Sequence, residues 1–168
     1  MNPNLFHPQL LIGRRALLSA VIAAAGSAKA AQPCALPVVL FVCPAGTVKS
    51  AIARDSLRRE AGKAGVAVSV ISRGIHPEDH VSPGLRAKLV ADGMNPGSEP
   101  ALPINAGDIR RASITIVFDE AAAAPGLERA RVWDIPSWNG DYSGAKTALA
   151  TRVDDLVEEL RAARPCRG

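Results

Sequence analysis

The chain has 168 residues, 48% of them hydrophobic and 21% charged, too polar for a bundle of membrane spans and too apolar for a disordered chain; one globular domain fits. The formal charge is +4, from 20 Lys plus Arg against 16 Asp plus Glu, but Arg14, Arg15 and Lys29 stand in a first segment that holds no acid. Beyond residue 30 the balance is 17 basic against 16 acidic side chains, which leaves no basic field for nucleic-acid binding.

Gly13-Arg14-Arg15 precedes an apolar run from Ala16 to Ala25, and Gly26-Ser27-Ala28-Lys29-Ala30 follows it. A positive flank, a short apolar core and an Ala-x-Ala exit are the three parts of a secretory signal, and the run is too short to span a bilayer. Residues 1–30 are therefore expected to be an export signal, and Arg14-Arg15 before Ala16-Leu17-Leu18 loosely resembles a twin-arginine one. Residues 31–168 would form the mature domain, periplasmic or secreted, with no membrane segment of its own. The three cysteines are Cys34, Cys43 and Cys166. In an oxidising compartment Cys34 and Cys166 could pair and leave Cys43 as the free thiol; three reduced thiols are the alternative.

Leu36 to Val42 is a continuous apolar, β-branched run, the pattern of a strand covered on both faces of a parallel sheet. A loop, Cys43-Pro44-Ala45-Gly46-Thr47-Val48-Lys49, leads into a helix from Ser50, with Ala53, Leu57, Ala61 and Ala64 on one face and Gly65 as its stop. Val66 to Ser72 reads as a second strand. Ser82-Pro83 starts a second helix, with Leu85, Leu89 and Val90 inward and Gly93 at its end. The three prolines between Met94 and Asn105 mark a loop. Ile114 to Phe118 reads as a third strand running into Asp119-Glu120, and Arg131 to Trp133 as a short fourth. The last helix carries Ala145, Leu149, Val153, Leu156 and Leu160, with Ser143 to cap it and Pro165 to close it. Alternating strands and helices predict an α/β fold: a single domain with an open, parallel, four-stranded sheet flanked by helices. If the last helix runs antiparallel to the first strand, Cys166 approaches Cys34.

In such a sheet ligands bind beyond the carboxyl ends of the strands, and the first such end is the Cys43 loop. A loop opening a helix presents unpaired backbone N–H groups to an anion. The same setting favours the thiolate of Cys43, the nucleophilic form. Lys49 can add a positive charge and Ser50 a hydrogen bond to the sulfur. These residues, an apolar strand ending in Cys43 followed five residues later by Lys49-Ser50, resemble the Cys-x5-Arg-Ser signature of the low-molecular-weight protein-tyrosine-phosphatase family, which includes thioredoxin-coupled arsenate reductases. The resemblance continues through Ser72-Arg73-Gly74, Leu89 to Gly93, Asp119-Glu120, Trp133-Asp134-Ile135-Pro136 and the last helix, over nearly all of residues 36 to 163.

The resemblance implies that Cys43 attacks a phosphoryl group held by Pro44, Ala45, Gly46, Thr47, Val48 and Lys49, without a metal or another cofactor. Three positions depart from the family pattern. Lys49 replaces a planar bidentate arginine by a single mobile charge, which weakens binding of a phosphoryl transition state. Gly46 replaces the asparagine that ties the loop to the serine matching Ser72. Ser137 replaces the general-acid aspartate, and a serine does not protonate a leaving group usefully at neutral pH; Asp134 or Asp141 could do so only in a rearranged loop.

His76-Pro77-Glu78-Asp79-His80 gathers two imidazoles and two carboxylates, but Pro77 rules out a helical His-x3-His face. Trp133, Trp138 and Tyr142 either stack on an aromatic substrate or pack on the sheet. Two function classes follow: a phosphomonoester hydrolase acting through a cysteinyl-phosphate, with a phosphotyrosine protein among its partners, or an impaired relative that binds an oxyanion or a protein. Arsenate reduction ranks behind both, because residues 44 to 165 contain no resolving thiol.

Overall fold

Strand β1 (Val38–Cys43) is an inner strand of the sheet, hydrogen-bonded in parallel to β2 (Ser69–Gly74) on one side and β3 (Ile114–Val117) on the other. Strand β4 (Arg131–Val132) adds to β3, also in parallel, so the sheet order is β2-β1-β3-β4. A central parallel strand is covered on both faces, which is why β1 has no polar side. The structure is a computed structural model that describes residues 35–163; the expected export signal and the pair Cys34 and Cys166 lie outside these residues.

The period of two along β1 divides the core. Val39, Phe41 and Cys43 belong to a large cluster with Ile52, Ala53 and Leu57 of α1 (Lys49–Lys63), Leu85 and Leu89 of α2 (Pro83–Ala91), and Leu149, Val153, Leu156 and Leu160 of α4 (Tyr142–Ala162). Leu40 and Val42 face a smaller cluster with Val117, Ala121 and Leu127, against which Ile109 of the six-residue α3 (Ala106–Arg111) packs. The predicted single sheet with helices on both faces is what the chain forms.

Phe41, Phe118 and Trp133 pack ring to ring, with centroids 5.5 to 6.2 Å apart. Burying each is worth about 1.5–3 kcal/mol, and they lock the end of β3 and the chain after β4 to the middle of β1.

Two helix starts differ in detail from expectation. Tyr142 is already helical, so Ser143 is the second residue of α4 and lies two positions too far along to cap it. Asp141 is the cap, its carboxylate accepting the Gly144 N–H at 2.8 Å. Helix α2 starts after Ser82 as expected, but that hydroxyl makes no cap and bonds Asn139 Oδ1 at 3.0 Å instead. Helix α3 and a 3-10 turn over Asp119–Ala123 had no apolar period to announce them.

Candidate active site

Cys43 is the last residue of β1 and is 3% exposed. The chain turns through residues 44–48 and enters α1 at Lys49, so its first turn stands directly after the cysteine. The Cys43 sulfur accepts the Gly46 N–H at 3.2 Å and lies 3.1 Å from the hydroxyl of the fully buried Ser50. The N–H groups of Ala45, Thr47 and Val48 have no acceptor among the described residues. A 15-residue helix begins immediately after them, so unpaired donors and the positive end of the helix dipole coincide beside the sulfur.

The loop is held from the side of β2. Ile75, His76 and Glu78 donate their N–H groups to the carbonyls of Cys43, Pro44 and Ala45 at 3.2, 2.9 and 3.0 Å. This continues the parallel pairing of β1 and β2 past the end of the sheet and fixes the loop carbonyls outward. Gly46 has φ +75°, and a Cβ on it would sit 2.9 Å from the Gly74 nitrogen. A glycine at 46 is therefore a packing requirement at this crossing. The segment His76 to His80 is this flank, exposed to solvent, with His80 Nδ1 3.9 Å from Glu78 Oε2. Among the described residues no group of His, Cys, Asp or Glu is arranged to hold a metal ion.

The charge of Lys49 is held by groups outside the loop. Its ammonium lies 2.5 Å from Asp119 Oδ1 and donates to the Ile135 carbonyl at 2.7 Å. Asp119 follows β3, whose end is brought beside that of β1 by the parallel register. It has φ +53°, alone among the described non-glycine residues in a positive φ. Asp134 is exposed and makes no hydrogen bond or ion pair with the described residues, while Asp141 is committed to capping α4. Ser137 is exposed and starts a turn, its carbonyl accepting the Gly140 and Asp141 N–H groups.

Ser72, which sequence reasoning paired with position 46, takes its hydrogen bond from Arg54 Nη1 at 3.0 Å. Arg54 is 1% exposed and also meets Asp55 and Glu99, at 2.7 and 3.2 Å. The loop's neighbour is thus pinned by α1 rather than by the loop. Trp133 and Trp138 are both buried, so packing accounts for them. Trp138 meets Tyr142 edge to face at 5.4 Å, and the Tyr142 hydroxyl donates to Asp92 Oδ2 at 2.6 Å. Burial, then the Asp92 carboxylate, pushes the phenol up to about 12.

A buried cysteine at the end of an inner parallel strand, beside a loop that opens the first helix, defines a cysteine-loop α/β protein. The model of the low molecular weight phosphotyrosine protein phosphatase family matches residues 38–155, and the chain belongs to that family. Among solved structures, it is similar to an arsenate reductase in the phosphate-binding state, at 18% identity and a TM-score of 0.61, covering 74% of this chain and 99% of that one. It is also similar to the YwlE arginine phosphatase from Geobacillus stearothermophilus, at 20% identity and a TM-score of 0.59, covering 75% and 94%. A low molecular weight protein tyrosine phosphatase from Streptococcus pyogenes aligns at 15% identity with a TM-score of 0.60, covering 74% and 93%. No curated protein sequence matches the chain significantly. Membership supports cysteine-based chemistry of the phosphatase and arsenate-reductase kind.

Proposed function

We propose that the protein is a cysteine-dependent phosphomonoester hydrolase of reduced activity. The Cys43 thiolate attacks phosphorus and expels the ester oxygen, which takes up a proton. Water then attacks the cysteinyl-phosphate, releasing inorganic phosphate and returning the thiolate. One observation carries this reading: the Cys43 sulfur sits between Ser50 Oγ and the Gly46 N–H, beside loop amides without acceptors. Those donors suit the equatorial oxygens of a phosphoryl group. A phosphotyrosine protein is the substrate class that family membership favours. Arsenate reduction is disfavoured because residues 44 to 165 offer no second thiol.

Reduced activity follows from two side chains. Lys49 contributes one mobile charge, already engaged by Asp119 and Ile135. Ser137 supplies no useful acid, which leaves the exposed Asp134 as the leaving-group acid only once the loop that carries it is rearranged. The engagement of Lys49 also favours a second reading, a relative that binds an oxyanion or a partner protein through the loop and no longer turns over.

The test is hydrolysis of para-nitrophenyl phosphate by the purified, reduced protein, with Cys43→Ser beside it. Turnover that disappears in the variant supports the hydrolase. Absent turnover, with phosphate or sulfate shielding Cys43 from alkylation, supports the second reading. We further infer export to the periplasm or the medium, from the charged flank, apolar core and Ala-x-Ala exit of residues 1–30. No helix among the described residues is long and apolar enough to cross a membrane. Fractionation of cells expressing the full chain tests export, and retention in the cytoplasm would refute it.

A further inference from the structure

We propose that Asp119 is a positioning residue that parks Lys49 away from the anion cradle, so that an arriving oxyanion has to take the ammonium from it. The inference rests on the oxyanion reading of the Cys43 loop. Lys49 is the first residue of α1, and its stem is long enough to serve either the loop or the ends of the neighbouring strands. It is found on the latter, 2.5 Å from Asp119 Oδ1 and 2.7 Å from the Ile135 carbonyl. Two of its three N–H donors are thereby used.

The Asp119 backbone is consistent with a purpose-built contact. A positive φ of +53° is unfavourable for an L residue, though aspartate tolerates it better than most. Strained conformations of this kind concentrate where a side chain has a job beyond packing. The ion pair is also breakable: the Asp119 side chain is 39% exposed, against 15% for Lys49, so solvent and salt weaken the attraction. A dianion in the loop offers the ammonium a larger charge, and the two positions compete.

The competition is testable without turnover. Inorganic phosphate is titrated as a shield of Cys43 against iodoacetamide, in the full chain and in Asp119→Asn. Asparagine adopts the left-handed region as readily as aspartate; Asp119→Gly, which has no difficulty there, serves as the second variant. Both should lower the half-protecting phosphate concentration about three- to tenfold. In a Lys49→Met background the same changes should shift it by less than about twofold, the residue of simple charge repulsion. Equal gains in both backgrounds, or a loss in the Lys49 background, would overturn the parking role while leaving the cradle intact. If phosphate shields Cys43 in none of the variants, the oxyanion reading fails with it.

Discussion

Gly46 and Gly74 meet backbone to backbone where the cysteine loop crosses the end of β2. A Cβ on either would come within 2.9 Å of the other's side of the contact, the Gly74 nitrogen in one case and the Ala45 carbonyl carbon in the other. Gly74→Ala should therefore push the loop off its seat. We expect a stability loss of about 1–3 kcal/mol by thermal denaturation and, in addition, loss of phosphate protection at Cys43. Gly46→Ala should be worse, since φ +75° adds about 1–2 kcal/mol for an L residue. Alanine at 74 with unchanged protection would show that the loop has slack.

Ser50 is wholly buried with its hydroxyl against the sulfur. Ser50→Ala removes a donor that favours the thiolate, a hydrogen bond worth about 1–1.5 kcal/mol. The alkylation rate of Cys43 at neutral pH should fall about tenfold. Stopped-flow alkylation reads this directly, and an unchanged rate would assign the hydroxyl to packing alone.

Lys49→Arg combined with Ser137→Asp restores two of the three residue types in which the chain departs from the family pattern. Hydrolysis should rise by about 10²-fold or more, because a positioned general acid alone contributes about 10²–10⁴-fold and a bidentate guanidinium adds to it. Steady-state kinetics with para-nitrophenyl phosphate decide the matter. A flat response would mean that Asp119 captures the guanidinium as it does the ammonium.

Asp108 is 2% exposed and serves three partners: Arg73 at 2.7 Å, Arg111 at 2.5 Å and Asn105 at 2.9 Å. It ties α3 to the end of β2. Asp108→Ala would leave Arg73 with an uncompensated, largely buried charge, at a cost of about 2–4 kcal/mol in chemical denaturation. A loss under about 0.5 kcal/mol, the size of a surface change, would contradict this role.

Tyr142 is the single tyrosine of the chain, so its ionisation can be followed by absorbance. The phenol should titrate at about 12 rather than at 10.0, and Asp92→Asn should bring the midpoint down. Its folded value lies above the unfolded one. The stability it contributes is therefore complete below about pH 10 and lost as the pH rises through about 12.

The strands were legible as short apolar runs bounded by loop residues, and the long helices because apolar residues recur near every fourth position often enough to be counted, as in Leu149, Val153, Leu156 and Leu160. Cys43 and Ser50 were legible from spacing alone, since a loop entering a helix fixes both. Helix α3 was not, because Ala106 to Arg111 is short and holds one apolar side chain of any size; the only trace was Asn105 three residues before Asp108, whose N–H it caps at 3.0 Å. The pair Lys49 and Asp119 spans seventy positions of sequence and exists only because β1 and β3 are neighbours. Arg54 hid for the opposite reason: on a helix face an arginine reads as solvated, yet tertiary packing buries this one against Ser72.

Half of the hold on Lys49 is a main-chain oxygen, that of Ile135. Side-chain substitution deletes carboxylates readily but cannot delete a carbonyl, so mutational drift and laboratory selection meet the two halves differently. The Asp119 half can vanish in one codon change. The Ile135 half yields only if the path of the chain itself moves, and that path is stiffened by Pro136 next to it and by the buried Trp133 and Trp138 on either side. A lineage recovering full charge at the loop would accordingly be expected to accumulate changes in residues 133–138, away from the cysteine loop itself.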